Sequence, residues 1–385
     1  MHRRDFVKLG SIIAAAASPF NLFAADKFVK RYYNSSKQID FIYDGLSFSP
    51  KEYSDLLMKL ADEGKIKPDN YSNGGVVEEL EIKFAKLLGQ ESAIFMPTGT
   101  MANHIAVRHL ANTNRRVIVQ EQSHFYNDSG DCAQTLSGLN LIPLSEDSVE
   151  FNLNQVENIV SKTKTGRVET KVGVILIETP VRRQYDRMFM YDNQKAITNY
   201  AKNNEIKTHL DGARLFVQSV HTNLEPAIYG ELFDTVYTSL YKCFNSASGA
   251  ILTGSKTFTT NLFYERRMFG GGLPSAWPFA AVALHFADTF IDDYKTALHT
   301  AEKFISLIQK EENFNIIKFE NGSHIIRLNI KNTNLKKFSE TLGKNNIHLN
   351  TPNGNGFLLK INPSLNRESP QNLADYFIES LKESN

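Results

Sequence analysis

The sequence predicts an α/β fold: a large domain built on a mostly parallel, helix-covered sheet, followed by a smaller C-terminal α+β domain. Two observations carry that prediction. From Ser92 to Thr253, short β-branched or apolar runs alternate with helical stretches, the rhythm of βαβ units. Within it, Val172-Gly173-Val174-Ile175-Leu176-Ile177 is a continuous apolar strand of the kind buried on both faces of a parallel sheet. After Gly270-Gly271-Gly272 the rhythm changes to one long helical stretch and a few separated strands.

The chain opens with His2-Arg3-Arg4-Asp5-Phe6-Val7-Lys8 ahead of an alanine-rich apolar run from Leu9 to about Ala25. A charged start and a short apolar core mark an export signal rather than a membrane span. The paired arginines followed by Phe6 and Lys8 resemble a twin-arginine signal over residues 1–25, which directs folded proteins out of the cytoplasm to the periplasm. An ordinary secretory signal or an uncleaved anchor is the alternative.

Residues 26–49 read as an N-terminal arm: Asp26 to Ile39 is polar and aromatic without periodicity, and Asp40 to Ser49 is a short apolar segment. The large domain spans 50–290. Pro50 starts a helix through Leu60, and Pro68, Asn70, Asn73, Gly74 and Gly75 form a loop. The next helix places Val77, Leu80, Phe84 and Leu87-Leu88 on one face and stops at Gly89. Strands are expected at Ser92–Met96, Arg116–Gln120, Leu139–Leu144, Val172–Ile177, Lys207–Leu210, Thr235–Ser239 and Ala250–Thr253. Helices are expected from the Thr98 turn to Leu110 and from Asp192 to Asn203. The smaller domain spans 291–385. The long helical stretch from about Pro278 to Glu311 leads into strands at Asn315–Lys318, Ser323–Ile330 and Gly356–Ile361.

Bulk properties narrow the function classes. The 385 residues are 42% hydrophobic and 22% charged, an ordinary soluble composition with enough chain for a large core. Net charge is +1, and Arg3, Arg4 and Lys8 against Asp5 leave the rest of the chain at −1. A nucleic-acid partner, which needs a basic stripe, is not expected. Cys132 and Cys243 are the two cysteines, too few for a disulfide framework or a cysteine zinc site, and no metal site is expected.

Lys242 is the residue of most chemical interest. The run Val236-Tyr237-Thr238-Ser239-Leu240-Tyr241 ends on it, and Asn245-Ser246-Ala247-Ser248-Gly249 follows with small side chains. Such a strand end presents one amine beside open space, and an amine of lowered pKa there can form a Schiff base with an aldehyde. The plain alternative is an ammonium that reaches water. Thr98-Gly99-Thr100 lies between a strand and a helix, where backbone N–H groups and hydroxyls make a phosphate site or Thr98 simply caps the helix.

Asp211, in His209-Leu210-Asp211-Gly212-Ala213-Arg214, sits where doubly wound sheets place ligand contacts. It can hold a protonated ring nitrogen, or cap a helix while pairing with Arg214. Asp211 and Lys242 are separated by one helix and one strand, so both can reach the same sheet edge. His124 follows a strand and can stack on a flat cofactor, act as acid–base, or stand solvated. Arg182 and Arg183 can bind a carboxylate or serve as surface charge.

Together, several stretches resemble the threonine aldolase / aromatic amino acid β-eliminating lyase family. They are Glu78-Glu79-Leu80-Glu81, Pro97 to Asn103, Glu121 to His124, His209 to Arg214, Ser239 to Lys242, and Arg267-Met268-Phe269-Gly270-Gly271-Gly272. They keep the family's order and spacing over roughly residues 40–290. The resemblance implies a fold-type-I enzyme dependent on pyridoxal 5'-phosphate. Lys242 would be the Schiff-base lysine, and Asp211 would pair the ring nitrogen. Arg214 would lie near the phenolic oxygen or the substrate carboxylate. His124 would stack on the ring and serve catalysis, and Thr98, Gly99 and Thr100 would cradle the phosphate.

The activity implied is retro-aldol cleavage of a β-hydroxy amino acid to glycine and an aldehyde, in a homodimer or homotetramer. β-Elimination, transamination, or cofactor binding with little turnover are the alternatives. The chain departs from the family pattern at Tyr241 and Cys243, where a serine and a glycine flank the lysine. It departs again at Thr179 to Arg183, at Leu273-Pro274-Ser275, and at the C-terminal arginine that grips the substrate carboxylate. Arg182, Arg183, Arg327 and Lys360 are the candidates to replace that arginine.

Overall fold

A computed structural model describes residues 38–384. The expected export signal and the first part of the expected arm therefore lie outside the described residues. A short strand β1 (Ile39–Asp40) is followed by helix α1 (Pro50–Asp62). Ser49 caps α1 in a reciprocal capping box with Glu52, and Pro50 takes the first turn, where its missing N–H costs nothing. Helix α2 (Gly75–Leu87) buries Val76, Val77, Leu80 and Phe84, and the chain leaves it through Gly89 at φ +63°.

The main sheet then begins. Strand β2 (Ser92–Met96) leads through Pro97 and Thr98 into helix α3 (Gly99–Ala111), and β3 (Arg116–Gln120) and β4 (Asn140–Leu144) follow. Helix α4 (Leu153–Lys164) precedes β5 (Val172–Glu178), and helix α5 (Tyr191–Asn203) precedes β6 (Lys207–Asp211). Helix α6 (Leu215–Thr222), β7 (Thr235–Ser239) and β8 (Ala250–Gly254) complete this part of the chain.

These strands form one sheet in the order β2-β8-β7-β6-β5-β3-β4. Strands β3 to β7 pair in parallel, and β8 runs antiparallel between β7 and β2. Strand β5 is buried at every position from Val172 to Glu178, as its unbroken apolar run requires. Because the parallel strands share a direction, residues just past Met96, Gln120, Glu178, Asp211 and Ser239 gather at one edge. The amino-terminal end of the antiparallel β8 joins them there.

The expected long helix from Pro278 to Glu311 is instead two, α7 (Trp277–Ala287) and α8 (Phe290–Ile308). The chain breaks at Asp288 and Thr289, residues that favour helix starts over interiors, and Asp292 and Asp293 then fall in the acid-favouring first turn of α8. The break lets α7 pack on α2 while α8 packs on the C-terminal helix α10 (Pro370–Ser384). The C-terminal part of the chain also contains β9 (Phe314–Lys318), β10 (Ile325–Ile330), helix α9 (Leu335–Lys344), β11 (Ile347–His348) and β12 (Gly356–Lys360). Strands β12-β10-β9 form an antiparallel sheet, and β11 pairs in parallel with β1. The segment expected to be an N-terminal arm is tied into the fold from Ile39 onward. The unexpected helices α4 and α6 are short amphipathic pieces between strands.

An aromatic cluster anchors the loop after β7. Phe244, two residues beyond Lys242, is fully buried. It meets Phe84 and Phe216 edge-on at centroid distances of 4.8 Å each, and Phe290 at 5.4 Å. Phe244→Ala should lower unfolding stability by about 3–5 kcal/mol, since three rings lose a common neighbour. Urea denaturation of the variant and the parent measures the difference.

Candidate active site

The residues that the sequence assigned to the cofactor line one cavity of about 370 Å³ at that shared strand edge. Thr98, Gly99, Thr100, His124, Asp211, Arg214 and Lys242 are all in its wall, with Asn103, Glu178, Arg182, Tyr237 and Tyr241. The topology explains the gathering: each side chain follows the carboxyl end of a parallel strand.

At the β2–α3 turn, the Thr98 hydroxyl accepts a hydrogen bond from Met101 N at 3.2 Å and caps the helix. The side chain is therefore a cap, while the N–H groups of Gly99 and Thr100 belong to the first turn, which has no intrahelical acceptors. Position 99 has no room for a side chain. A Cβ there would lie 2.0 Å from the Tyr237 hydroxyl, so glycine lets this helix end approach β7.

Asp211 ends β6 and is 3% exposed. Its Oδ2 accepts from Asn103 Nδ2 at 2.5 Å and its Oδ1 from Ala213 N at 3.3 Å. Neighbouring Glu178, its register partner on β5, holds two loops at once: Oε2 accepts the His124 N–H and Oε1 the Arg182 N–H. Burial, reinforced by the charge on Asp211, pushes Glu178 up to about 8. His124 is lowered, by burial first and by the Lys242 charge, against the pull of Asp211. Its imidazole is held toward the neutral form, able to accept a proton.

Lys242 has no hydrogen bond or ion pair to its ammonium among the described residues; its Nζ lies 5.7 Å from the centre of the Tyr241 ring. Burial and the Arg214 guanidinium lower it to about 8. Two approaches brace the loop that carries it. Leu46 N donates to Asn245 Oδ1 at 2.7 Å, and a Cβ on Gly45 would lie 2.5 Å from the Lys242 carbonyl oxygen. Cys243 points into the core at 1% exposure, and burial pushes its thiol up to about 12, so its place is packing rather than chemistry.

Arg214 reaches the cavity wall, yet its charge is already engaged. Asp44 lies 3.0 Å and Asp186 3.4 Å from it, all three being at most 8% exposed. Burial opposes the charge on Arg214, and Asp186 and Asp44 outweigh it, so the guanidinium is held more firmly charged than usual. Burial likewise works against ionised Asp44, but Arg214, Lys360 and a hydrogen bond from His324 hold it well below the ordinary carboxylate range. Asp44, Asp186 and His324 stand close enough to share a cation, but Arg214 and Lys360 already supply the positive charge.

The four candidates for a carboxylate contact now separate. Arg182 lines the cavity and pairs with Asp128 at 2.5 Å. Arg183 also pairs with Asp128, at 3.3 Å, and is not in the wall. Arg327 bonds Asn329 and the Asn353 carbonyl on the small sheet. Lys360 donates to Asp44 at 2.8 Å. Sequence reasoning did not single out Asp44, Asp186, Asn103 or Tyr237, since none ends a strand in a recognisable motif of its own. Glu178, which directly follows the apolar run Val172–Ile177, was not singled out either.

The wall fits pyridoxal phosphate. It offers an unpaired amine of depressed pKa, a buried carboxylate for a ring nitrogen, and a helix start whose glycine leaves backbone N–H groups open to a phosphate. Because the free base is the reactive form of an amine, labelling of Lys242 should rise with pH through a midpoint near 8. Exposed lysines should follow near their ordinary value of about 10.4. Pulse acetylation read by mass spectrometry checks this; a Lys242 midpoint near that of the exposed lysines contradicts the burial argument.

The chain is similar to known proteins over most of this region. A "Probable low-specificity L-threonine aldolase" of Schizosaccharomyces pombe is 26% identical over 248 residues, 64% of each chain. The "Low-specificity L-threonine aldolase 1" of Arabidopsis thaliana is 24% identical over 233 residues, 60% of this chain and 65% of that one. The match thus covers less than two thirds of either relative's length. Among solved structures, one from Listeria monocytogenes, provisionally assigned as an L-allo-threonine aldolase, aligns with a TM-score of 0.70. It is 24% identical and covers 90% of this chain and 96% of that one, which supports the same fold. The model of the beta-eliminating lyase family matches residues 62–331, the segment that holds the main sheet and the cavity, and the chain belongs to that family.

Proposed function

We propose that this protein is a pyridoxal-phosphate-dependent lyase that cleaves a β-hydroxy amino acid to glycine and an aldehyde. The observation that carries the reading is the convergence of unpaired Lys242, buried Asp211 and the open helix start at Gly99 in one cavity. The resemblance to threonine aldolases supports the substrate class.

When bound, the cofactor supplies an aldehyde that links to amines and a ring that withdraws electrons from the carbon beside the linked nitrogen. The chain's own residues do the rest. Lys242, lowered to about 8, carries an appreciable fraction of free amine near neutrality and is the group to hold that aldehyde. Asp211 would hold the proton on the ring nitrogen through a charge-assisted bond. Gly99 and Thr100 would donate backbone N–H groups to the phosphate, with the helix dipole adding to the attraction. His124, kept toward neutrality, would take the proton of the substrate's β-hydroxyl as the carbon–carbon bond breaks. Arg182 would hold the substrate carboxylate while Asp128 steadies its guanidinium.

A second reading, β-elimination on the same cofactor, draws on Tyr241. Its ring stands in the wall beside Lys242 and alters the space next to the amine. Products separate the two: glycine and an aldehyde support aldol cleavage, whereas a keto acid and ammonia support elimination. Lys242→Ala should lose the visible band formed with pyridoxal phosphate and lower kcat by several orders of magnitude. An unchanged spectrum removes Lys242 from its role.

We also propose that the chain is exported through the twin-arginine route, on the strength of Arg3-Arg4 ahead of the apolar run. A cofactor acquired before transport suits a route that carries folded proteins. Replacing both arginines with lysine should retain the protein in the cytoplasmic fraction, and unchanged fractionation of the variant rules the route out.

A further inference from the structure

Behind Asp211 runs a chain of buried side chains that leads away from the cavity. Asn103 Nδ2 donates to Asp211 Oδ2 at 2.5 Å, Asn103 Oδ1 lies 2.9 Å from His209 Nε2, and His209 Nδ1 lies 2.8 Å from Thr235 Oγ1. Asn103 is 1% exposed, and His209 and Thr235 are fully buried. None of the three has water to fall back on, so each hydrogen bond must be made within the protein.

The donor directions follow from the ends. A carboxylate only accepts, so the Asn103 amide must turn its NH₂ to Asp211 and its oxygen to His209. That oxygen needs a donor, which makes Nε2 of His209 the protonated nitrogen and leaves Nδ1 to accept the Thr235 hydroxyl. A histidine in this arrangement is neutral, and burial pushes His209 down to about 3.

The elements explain why the three side chains meet. His209 and Asp211 are two apart on β6 and so face the same side of the sheet. Thr235 is the register partner of His209 on β7. Asn103 lies one turn along the helix whose first residues, Gly99 and Thr100, line the other part of the cavity. One helix therefore brings both a phosphate-type turn and a clamp on the carboxylate.

We propose that Asn103, backed by His209 and Thr235, is a positioning residue that fixes the Asp211 carboxylate to receive the ring nitrogen of the cofactor. Oδ2 is taken by the amide. Oδ1, with only the long bond from Ala213, keeps capacity for a further donor. The same helix then sets the distance between the two ends of the ligand. This inference rests on pyridoxal phosphate being the cofactor, as proposed above.

The test compares the full-length parent with Asn103→Leu, which keeps the volume and removes both bonds, and with Thr235→Val, a near-isosteric change at the far end. The expected result for Asn103→Leu is a cofactor dissociation constant raised about tenfold or more, the effect of leaving a buried polar group unpaired. Its visible cofactor band should move, and its kcat should fall more than its KM changes. Thr235→Val should shift the same readouts in the same direction and by less. Dissociation constant and band equal to the parent's in both variants, with only the melting temperature lowered, would mean the chain is mere packing and overturn the inference.

Nitrogen-15 NMR of the histidine-labelled, cofactor-free chain gives a second readout, with His209 assigned from a His209→Asn variant. A protonated Nε2 supports the relay, and a protonated Nδ1 overturns it. A parent chain that takes up no pyridoxal phosphate overturns the cofactor reading and the role of Asn103 toward it, whereas the NMR result still judges the relay itself.

Discussion

The ion cluster around Arg214 is the constraint on which the site's architecture depends. A guanidinium buried this deeply must find negative charge, and Asp44 and Asp186 provide it from two separate segments of the chain. Asp44 in turn accepts from His324 and Lys360, which belong to the C-terminal part of the chain. One buried charge thus joins the segment before α1, the loop after β5, the start of α6 and the small antiparallel sheet. Removing one partner of such a pair leaves an uncompensated buried charge, which typically costs about 3–5 kcal/mol. The arrangement also leaves Arg214 little freedom to reorganise around a ligand. Its contribution to the cavity is a fixed positive potential.

That potential bears directly on Lys242. Burial and the nearby guanidinium both favour the uncharged amine, while Asp211, Asp44 and Asp186 oppose them without prevailing. The backbone holds the amine in place from both sides. Phe244 drives into a cluster of rings below, and Gly45 lets the 40–49 segment pass against the lysine carbonyl. The unusual neighbours of the lysine then have distinct fates. Cys243 faces the core and is a small packing residue, whereas Tyr241 is half-exposed and closes part of the wall beside the amine. Glycine's absence at 243 is therefore tolerated by the core, and the bulk added at 241 falls in the cavity wall.

The carboxylates show how the sheet sorts roles among like groups. Glu178 and Asp211 end adjacent strands, and two buried carboxylates in register cannot both ionise cheaply. Glu178 is pushed toward its protonated form while clamping the loops of His124 and Arg182. Asp211 receives the Asn103 amide and stands ready for a cation. Divergent environments for paired acids are a common way of assigning separate tasks to chemically similar groups.

Much of this was legible in the sequence because it is local. The strands of the main sheet follow from β-branched and apolar runs, α2 from its apolar periodicity and Gly89, and the cavity edge from residues that end strands in a parallel sheet. Lys242 and Asp211 could be placed at one edge on that basis, and the family resemblance added His124 and the Gly99 turn. What the sequence could not determine is any pairing that depends on distant segments meeting. Asp288 and Thr289 permit the break between α7 and α8, but which partners the two halves pack on is visible only in the fold. The 40–49 segment reads as an arm until Gly45 and Asp44 are seen against the lysine loop and Arg214. Asn103, His209 and Thr235 carry no joint pattern in a linear chain, since a helix, one strand and its neighbour must pack before their hydrogen bonds exist. Local propensity and strand order decided where the chemistry would gather; only tertiary packing decided which side chains hold it in place, because burial and charge compensation are properties of neighbours in space.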